Sequence, residues 1–351
     1  MNNVFSTKII EWYLENKRDL PWRDISDPYR IWISEIILQQ TRVNQGLEYY
    51  LRFVERFPKV EVLAEAAEDE VLKYWQGLGY YSRARNLHKA AKKIMMEHEG
   101  VFPENQRDIL ALNGVGEYTA AAIVSFAYNQ PYAVVDGNVY RVLSRLFAID
   151  TLIDSGKGKK DFFQLAQDLL DKENPGLHNQ AIMEFGALHC VPLSPNCQNC
   201  PLKALCKAFE TNMVSQLPKK SQKTKVTNRY FNYLFITCQE KTYLQKRTGN
   251  DVWKNLYEFP LIESDKLLNN DELLINEQFQ NLFSEIEHVE IQSTSRSIKH
   301  VLSHRNIYTQ FITVDVSNEN DALKQFVRTP VDEIDKFAVS RLIEIFLEKR
   351  L

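Results

Sequence analysis

DILALNGVGEYTAAAIVSFA, residues 108–127, contains a short helical stretch, the turn Asn113-Gly114-Val115-Gly116, and a second helix beginning near Glu117. Glycines in such a turn let a backbone pass close to a partner, because no Cβ stands in the way. The amides at the start of the second helix lack intrahelical acceptors and can hold a phosphate without reading a base. An ordinary turn between two helices is the plainer alternative. The Gly-Val-Gly run makes the better expectation a helix-hairpin-helix that grips a nucleic-acid backbone through Gly114, Val115 and Gly116.

Outward from this turn, helical periodicity runs through residues 1–210 with short Gly and Pro interruptions and no convincing β alternation, which predicts an all-α domain. Residues 211–229, TNMVSQLPKKSQKTKVTNR, are polar and include Lys219, Lys220, Lys223, Lys225 and Arg229. They read as a linker, either laid along a phosphate backbone or serving as a solvated tether. From Tyr230 the pattern changes. YFNYLFIT, KTYLQKR and NIYTQFITVDV alternate like strands, and residues 271–286 and 339–350 look helical, so 230–351 should be a smaller α+β domain.

Two domains suit a chain of 351 residues that is 44% hydrophobic and 25% charged. The N-terminal stretch is amphipathic with acidic residues, unlike a signal peptide, and no apolar run reaches the roughly 18 residues of a membrane span. A cytoplasmic, nucleoid-associated protein with reduced or metal-bound thiols is expected. The net charge is −3, and residues 1–228 hold 28 Lys and Arg against 27 Asp and Glu, so any basic binding surface must be a local patch.

CVPLSPNCQNCPLKALC, residues 190–206, concentrates four of the five cysteines, Cys190, Cys197, Cys200 and Cys206; the fifth is Cys238. Four soft ligands so close together suit zinc or an iron–sulfur cluster. The wide first gap, the lack of a histidine substitute and the stiffening Pro192, Pro195 and Pro201 favour one [4Fe–4S] unit. Structural zinc is the alternative on spacing, and disulfides are disfavoured without a mark of secretion.

YRIWISEIILQQTRV, residues 29–43, predicts a helix apolar on nearly every side, with Glu35 inside it. Desolvation there raises a carboxyl pKa and makes a proton donor near neutral pH, where an exposed helical Glu would be inert. Asp136 stands before Gly137 and Asn138, where an apolar run gives way to a new helix, so it should cap that helix. Helix-end amides favour its ionised form, and carboxyls of opposed protonation divide naturally into acid and electrostatic stabiliser. GLGY, residues 77–80, marks a tight turn whose apolar or aromatic tip could wedge a DNA stack or pack on its own domain.

Taken in order, LPWR (20–23), SEIILQQTRV (34–43), GLGYYSRARNL (77–87), LNGVGEYTA (112–120), VDGNVYRVLSR (135–145) and the cysteine loop resemble the MutY-type adenine DNA glycosylases, endonuclease-III-like proteins, over most of residues 15–207. The resemblance implies hydrolysis of the N-glycosidic bond of adenine mispaired with 8-oxoguanine or guanine in double-stranded DNA, by a monomer. It implies that Glu35 protonates the base, that Asp136, oriented by Asn138, stabilises the sugar cation, and that Tyr118 hydrogen-bonds the carboxylates. Strand-cutting relatives place a lysine at the position of Tyr118, so a monofunctional enzyme is implied; a bifunctional glycosylase and lyase is the alternative. Arg18, Trp22 and Gln180 are implied to contact the flipped adenine, and Gln40, Thr41, Leu78 and Tyr80 to fill or wedge the vacated stack. The cluster is implied to shape a DNA-binding loop that carries Lys203 and Lys207.

The C-terminal part resembles the MutT-like, Nudix-like domain of the same family. WKNLYEFP, residues 253–260, departs from the family's W-x-G-L-W-E-F-P at Asn255 and Tyr257, and the glutamate array that binds Mg²⁺ is missing, so nucleotide hydrolysis is not expected. LSHR, residues 302–305, aligns with a Phe-Ser-His loop that senses 8-oxoguanine. Ser303 and His304 match, and Leu302 replaces the aromatic.

Overall fold

The structure is a computed structural model that describes residues 2–221 and 226–350. Fifteen α-helices are described: α1 (Asn2–Asn16), α2 (Pro28–Leu38), α3 (Val43–Arg56), α4 (Val60–Glu65), α5 (Glu68–Trp75), α6 (Ser82–His98), α7 (Gln106–Leu110), α8 (Glu117–Tyr128), α9 (Gly137–Phe147), α10 (Gly156–Leu169), α11 (Pro175–Leu188), α12 (Lys207–Glu210), α13 (Asn270–Leu274), α14 (Glu277–Leu282) and α15 (Arg341–Glu348). The eight described strands are β1 (Thr227–Thr237), β2 (Lys241–Lys246), β3 (Tyr257–Glu258), β4 (Leu261–Ser264), β5 (Val289–Thr294), β6 (Ile298–Val301), β7 (Arg305–Val316) and β8 (Val327–Pro330). Among the described residues no helix is long and apolar enough to cross a membrane.

The chain forms two compact units, Met1–Glu65 with Asn86–Gln222, and Ala66–Arg85 with Lys223–Leu351. The first is helical throughout, as its periodicity predicts. Asp27 starts α2 by accepting from the Tyr29 and Arg30 amides, with Pro28 following it, and Asp136 and Ser155 cap α9 and α10 in the same way. The helix α11 packs on α1, α8 and α9 over a core that includes Phe5, Ile9, Leu143, Phe162 and Phe185. Ile31, Trp32, Ile33, Ile36 and Ile37 of α2 are all buried. At about 1.5–3 kcal/mol for each large apolar side chain, they outweigh the cost of holding one carboxyl, Glu35, among them.

In the second unit β1 runs parallel to β7, in a sheet ordered β4-β1-β7-β5 with β6 hairpinned onto β7; β3-β2-β8 form a smaller sheet. Successive side chains of β1 point to opposite faces. Phe231, Tyr233 and Phe235 join Phe311, Leu342 and Ile343 in one core, while Leu234 and Ile236 join Phe279, Phe283 and Val314 in the other.

Two features differ from the sequence reading. Residues 66–85 group with the C-terminal half, because Gln76 hydrogen-bonds Glu344 and the Val339 amide, the Tyr81 hydroxyl donates to the Val339 carbonyl, and Arg85 donates to the Lys254 carbonyl. The stretch read as a linker is also fixed over much of its length. Leu217 is buried and its carbonyl accepts from Arg145, Lys219 pairs with Asp150, and Ser221 donates to Asp154. Arg229 lies on β1 and is committed to Glu263 and Asp251. Lys223 and Lys225 fall outside the described residues.

Candidate active site

In the first unit a cavity of about 420 Å³ opens among Arg18, Trp22, Arg23, Glu35, Leu38, Thr41, Tyr118, Asp136, Asn138, Met183 and Glu184, a size that suits a small organic group. Glu35 reaches it from α2, Tyr118 from the first turn of α8, and Asp136 and Asn138 from the start of α9. Glu35 comes from the body of α2, while Tyr118 and Asp136 stand where Gly116 and the Asp136 cap begin α8 and α9.

Glu35 is buried, and its Oε2 accepts the Tyr118 hydroxyl at 2.8 Å. Burial pushes its pKa above the usual carboxylate value, and the Asp136 charge adds to the rise, while the Tyr118 hydrogen bond and Arg23 oppose it. The same burial and the neighbouring carboxylates push the Tyr118 phenol well above its ordinary value, so it donates. Asp136 accepts three hydrogen bonds, from the Asn138 amide at 2.9 Å, the Val139 amide at 2.8 Å and the Asn138 side chain at 2.7 Å.

The sequence leads one to expect an Asp136 governed by these helix-end donors. The structure adds burial, which outweighs them and moves its pKa upward as well, against the Val139 and Asn138 bonds and Arg141. Both carboxyls are therefore raised, and what separates them is the number of donors. Two carboxylates facing one cavity do not ionise together readily, and the one with three donors keeps its charge more easily than the one with a single phenol.

Arg18 makes a two-pronged bond to Glu184, Nε to Oε1 at 2.6 Å and Nη2 to Oε2 at 2.7 Å, and Arg23 stands 3.7 Å away. Against burial, the Arg18 bonds and Arg23 hold Glu184 below its usual pKa. Trp22 packs edge-on against Tyr50 beside the cavity. Gln180 is not among the lining residues; its side-chain oxygen accepts from the Tyr13 hydroxyl at 2.8 Å. The sequence reading missed Glu184 and Arg23, although Glu184 lies one helical turn beyond Gln180 and Arg23 ends the LPWR motif.

The remaining residues fall in two places. Gly114 has φ +78, and an added Cβ would lie 2.7 Å from the Asn86 Cβ; Gly116, at φ −100, has open space around it, and Val115 is buried. Gln40 is exposed with φ 57, next to Thr41 at the cavity. In the second unit Leu78 is buried in its turn, while Tyr80 is exposed and its hydroxyl lies 3.0 Å from Ser303 Oγ. Ser303 and His304 occupy the exposed turn between β6 and β7, and Leu302 packs on the edge of the core beneath.

Cys190, Cys197, Cys200 and Cys206 are free thiols lining one cavity with Arg145, whose Nη1 lies 3.5 Å from Cys190 Sγ. Among the described residues no three His, Cys, Asp or Glu side chains gather around a single ion. Burial pushes the Cys200 thiol up to about 11 and raises Cys197 and Cys206, so these sulfurs give up their protons less readily than free thiols, and a bound cation would favour their ionised form. Four soft donors around a shared space fit an iron–sulfur group. Arg141 joins this loop to the turn that holds Asp136, donating to the Cys190 carbonyl at 2.7 Å and to Asn138 Oδ1 at 2.9 Å. Lys203 and Lys207 are exposed on the loop.

Residues 33–170 match the family described as HhH-GPD superfamily base excision DNA repair protein, and residues 232–349 match the NUDIX domain. The adenine DNA glycosylase of Buchnera aphidicola subsp. Baizongia pistaciae is 35% identical over 317 residues, 90% of this chain and 87% of that protein. The adenine DNA glycosylase of Homo sapiens is 42% identical over 223 residues, 61% of this chain and 41% of that protein. A solved thermostable thymine-DNA glycosylase superposes with TM-score 0.56 at 31% identity, covering 60% of this chain and 97% of its own. A non-covalent endonuclease III–DNA complex shares the fold, with TM-score 0.52 at 22% identity over 60% of this chain and 95% of its own. The chain thus belongs to the adenine DNA glycosylases, enzymes that join a helix-hairpin-helix repair domain to a Nudix domain.

Proposed function

We propose that the protein is a monofunctional, monomeric DNA glycosylase that removes adenine opposite 8-oxoguanine or guanine in double-stranded DNA. The observation that carries the reading is one cavity holding two unequal carboxyls, Glu35 with a single phenol donor and Asp136 with three donors. Adenine leaves the stack to reach the cavity, because its glycosidic bond is inaccessible inside the duplex. Glu35, protonated, donates to N7 of the base and turns it into a better leaving group. Asp136, ionised and held by Asn138, steadies the positive charge that develops on the sugar, and water completes hydrolysis. Tyr118 holds the Glu35 carboxyl and offers no amine for a Schiff base with the sugar.

Trp22, Arg18 and Glu184 are positioned to meet the base edge, with Thr41 and Gln40 at the mouth. Gly114, Val115 and Gly116 present backbone amides to the phosphates. Tyr80, Ser303 and His304 read the base opposite the adenine. Cys190, Cys197, Cys200 and Cys206 would hold a [4Fe–4S] cluster, which supplies the charge that ionises the thiols and ties the loop together.

Incubation with a duplex carrying adenine opposite 8-oxoguanine, with and without alkali, tests the activity. Strand breaks that need alkali are expected. Breaks without alkali would show a lyase, and intact strands after alkali would defeat the reading.

A further inference from the structure

Three arginines converge on Asp251 in the loop between β2 and β3. Arg305 Nη1 donates to Oδ1 at 2.6 Å; Arg229 Nη1 and Arg247 Nη2 donate to Oδ2 at 2.6 and 3.1 Å. Two of the three have a second carboxylate. Arg229 also grips both oxygens of Glu263, and Arg247 bonds Glu258, which is buried and accepts from the Tyr233 hydroxyl at 2.8 Å. Arg305 differs: among the described residues its one ion pair is with Asp251. Loss of the Asp251 charge would therefore leave Arg229 and Arg247 paired, and would release Arg305 alone.

Arg305 is the first residue of β7, directly after Ser303 and His304. The turn is otherwise held by its backbone and by one side chain: the Leu302 amide donates to the Arg305 carbonyl, the Thr227 amide and hydroxyl of β1 donate to the His304 carbonyl, and the Tyr80 hydroxyl lies 3.0 Å from Ser303 Oγ, while no side-chain bond of His304 is seen among the described residues. Ser303 and His304 are themselves exposed. A short exposed turn samples several arrangements unless its ends are fixed, and a charge-assisted bond at one end narrows them. Against the pull of burial, the Val252 amide, Arg229 and Arg305 hold the Asp251 carboxyl down at about 2, so the anchor stays charged across the working pH range.

We propose that Asp251 is a positioning residue for lesion recognition, fixing Arg305 so that the turn presents Ser303 and His304 to the base opposite the adenine in one arrangement. The inference rests on the reading that Ser303 and His304 contact that base. Its effect should appear in the preference for 8-oxoguanine over guanine, because contacts to phosphates are shared by both duplexes and cancel in the ratio.

The test is single-turnover excision by the full-length protein at saturating enzyme, on duplexes with adenine opposite 8-oxoguanine or guanine, for Asp251→Asn, Arg305→Gln, Ser303→Ala and the Asp251→Asn/Ser303→Ala pair. Arg305→Gln leaves Asp251 with Arg229 and Arg247, so the inner network survives if Asp251→Asn weakens folding. Each of Asp251→Asn and Arg305→Gln should lower the preference about three- to tenfold with little change in the rate opposite guanine. The pair should fall by clearly less than the product of the two single effects, since both changes act through one turn and only the His304 share remains to be lost; a full product would refute the positioning role. If Ser303→Ala lowers the preference while Arg305→Gln leaves it at the wild-type value, the positioning role is wrong and the recognition reading stands. An unchanged preference in Ser303→Ala removes the recognition reading, and the positioning role with it.

Discussion

Replacing Glu35 with Gln removes one exchangeable proton and little volume. Gln keeps an oxygen for the Tyr118 hydroxyl, which now bonds Glu35 Oε2 at 2.8 Å, and the neighbours Ile31, Trp32 and Ile36 stay as they are. Two effects of opposite sign follow. Excision loses its general acid, a contribution of about 10²–10⁴ in rate. That is about 3–5 kcal/mol of barrier, while binding of the lesion duplex is retained. Stability moves the other way.

Burial raises the folded-state pKa of Glu35 above its unfolded value. Its contribution is then fully present below the unfolded pKa and is lost as pH rises to the folded one. Above that point the wild-type protein carries a buried charge, at about 1.4 kcal/mol for each tenfold gap in proton affinity between the two states. Gln carries no such penalty. Glu35→Gln should melt at about the wild-type temperature in acid, below the unfolded pKa, and increasingly above it as pH rises to the folded-state pKa, beyond which the gap stays constant. The assay pairs single-turnover excision with melting curves across that range. Excision within tenfold of wild type would remove Glu35 from the acid role, and a melting difference that ignores pH would deny its burial in the neutral form.

Tyr118→Phe deletes a hydrogen bond that lowers the Glu35 pKa, so the alkaline limb of the excision rate profile should move to higher pH; an unmoved limb would break the proposed link. Gly114→Ala forces a Cβ into the left-handed region, at about 1–2 kcal/mol, and against Asn86, so melting temperature and duplex affinity should both fall. Gly116→Ala meets open space at φ −100 and should leave the melting temperature at the wild-type value, and an equal fall of both variants in thermal melts would refute the distinction. The proposed cluster predicts four irons per wild-type chain in a colorimetric assay and fewer in Cys200→Ser; undiminished iron in the variant would place the ligand elsewhere.

Local chemistry made part of this molecule legible in advance. The apolar surround of Glu35, the Asp136 cap and the glycine turn at 113–116 are written in neighbouring residues, where helical spacing and cap chemistry act. Partnerships across the fold are not. Nothing near Gln180 indicates that it turns to Tyr13 while Glu184, four residues on, takes Arg18. The basic run at 211–229 looked like a tether because composition does not show that Arg229 meets Glu263 and Asp251, or that Leu217 is buried. Asn255 and Tyr257, departures from the family pattern, gain meaning from the structure. Asn255 adopts φ 66, which Asn tolerates, and bonds Glu68, while the Tyr257 hydroxyl donates to Asp69.

The second unit is discontinuous along the chain, since it claims Ala66–Arg85 from between two stretches of the first. Shortening the protein at residue 222 would not cleanly excise a module. It would leave Gln76 and Tyr81 without their acceptors and donors around Val339, and the turn bearing Tyr80 without Ser303. A helical fragment made that way is a poor proxy for the intact enzyme, and any activity it loses cannot be charged to lesion reading alone.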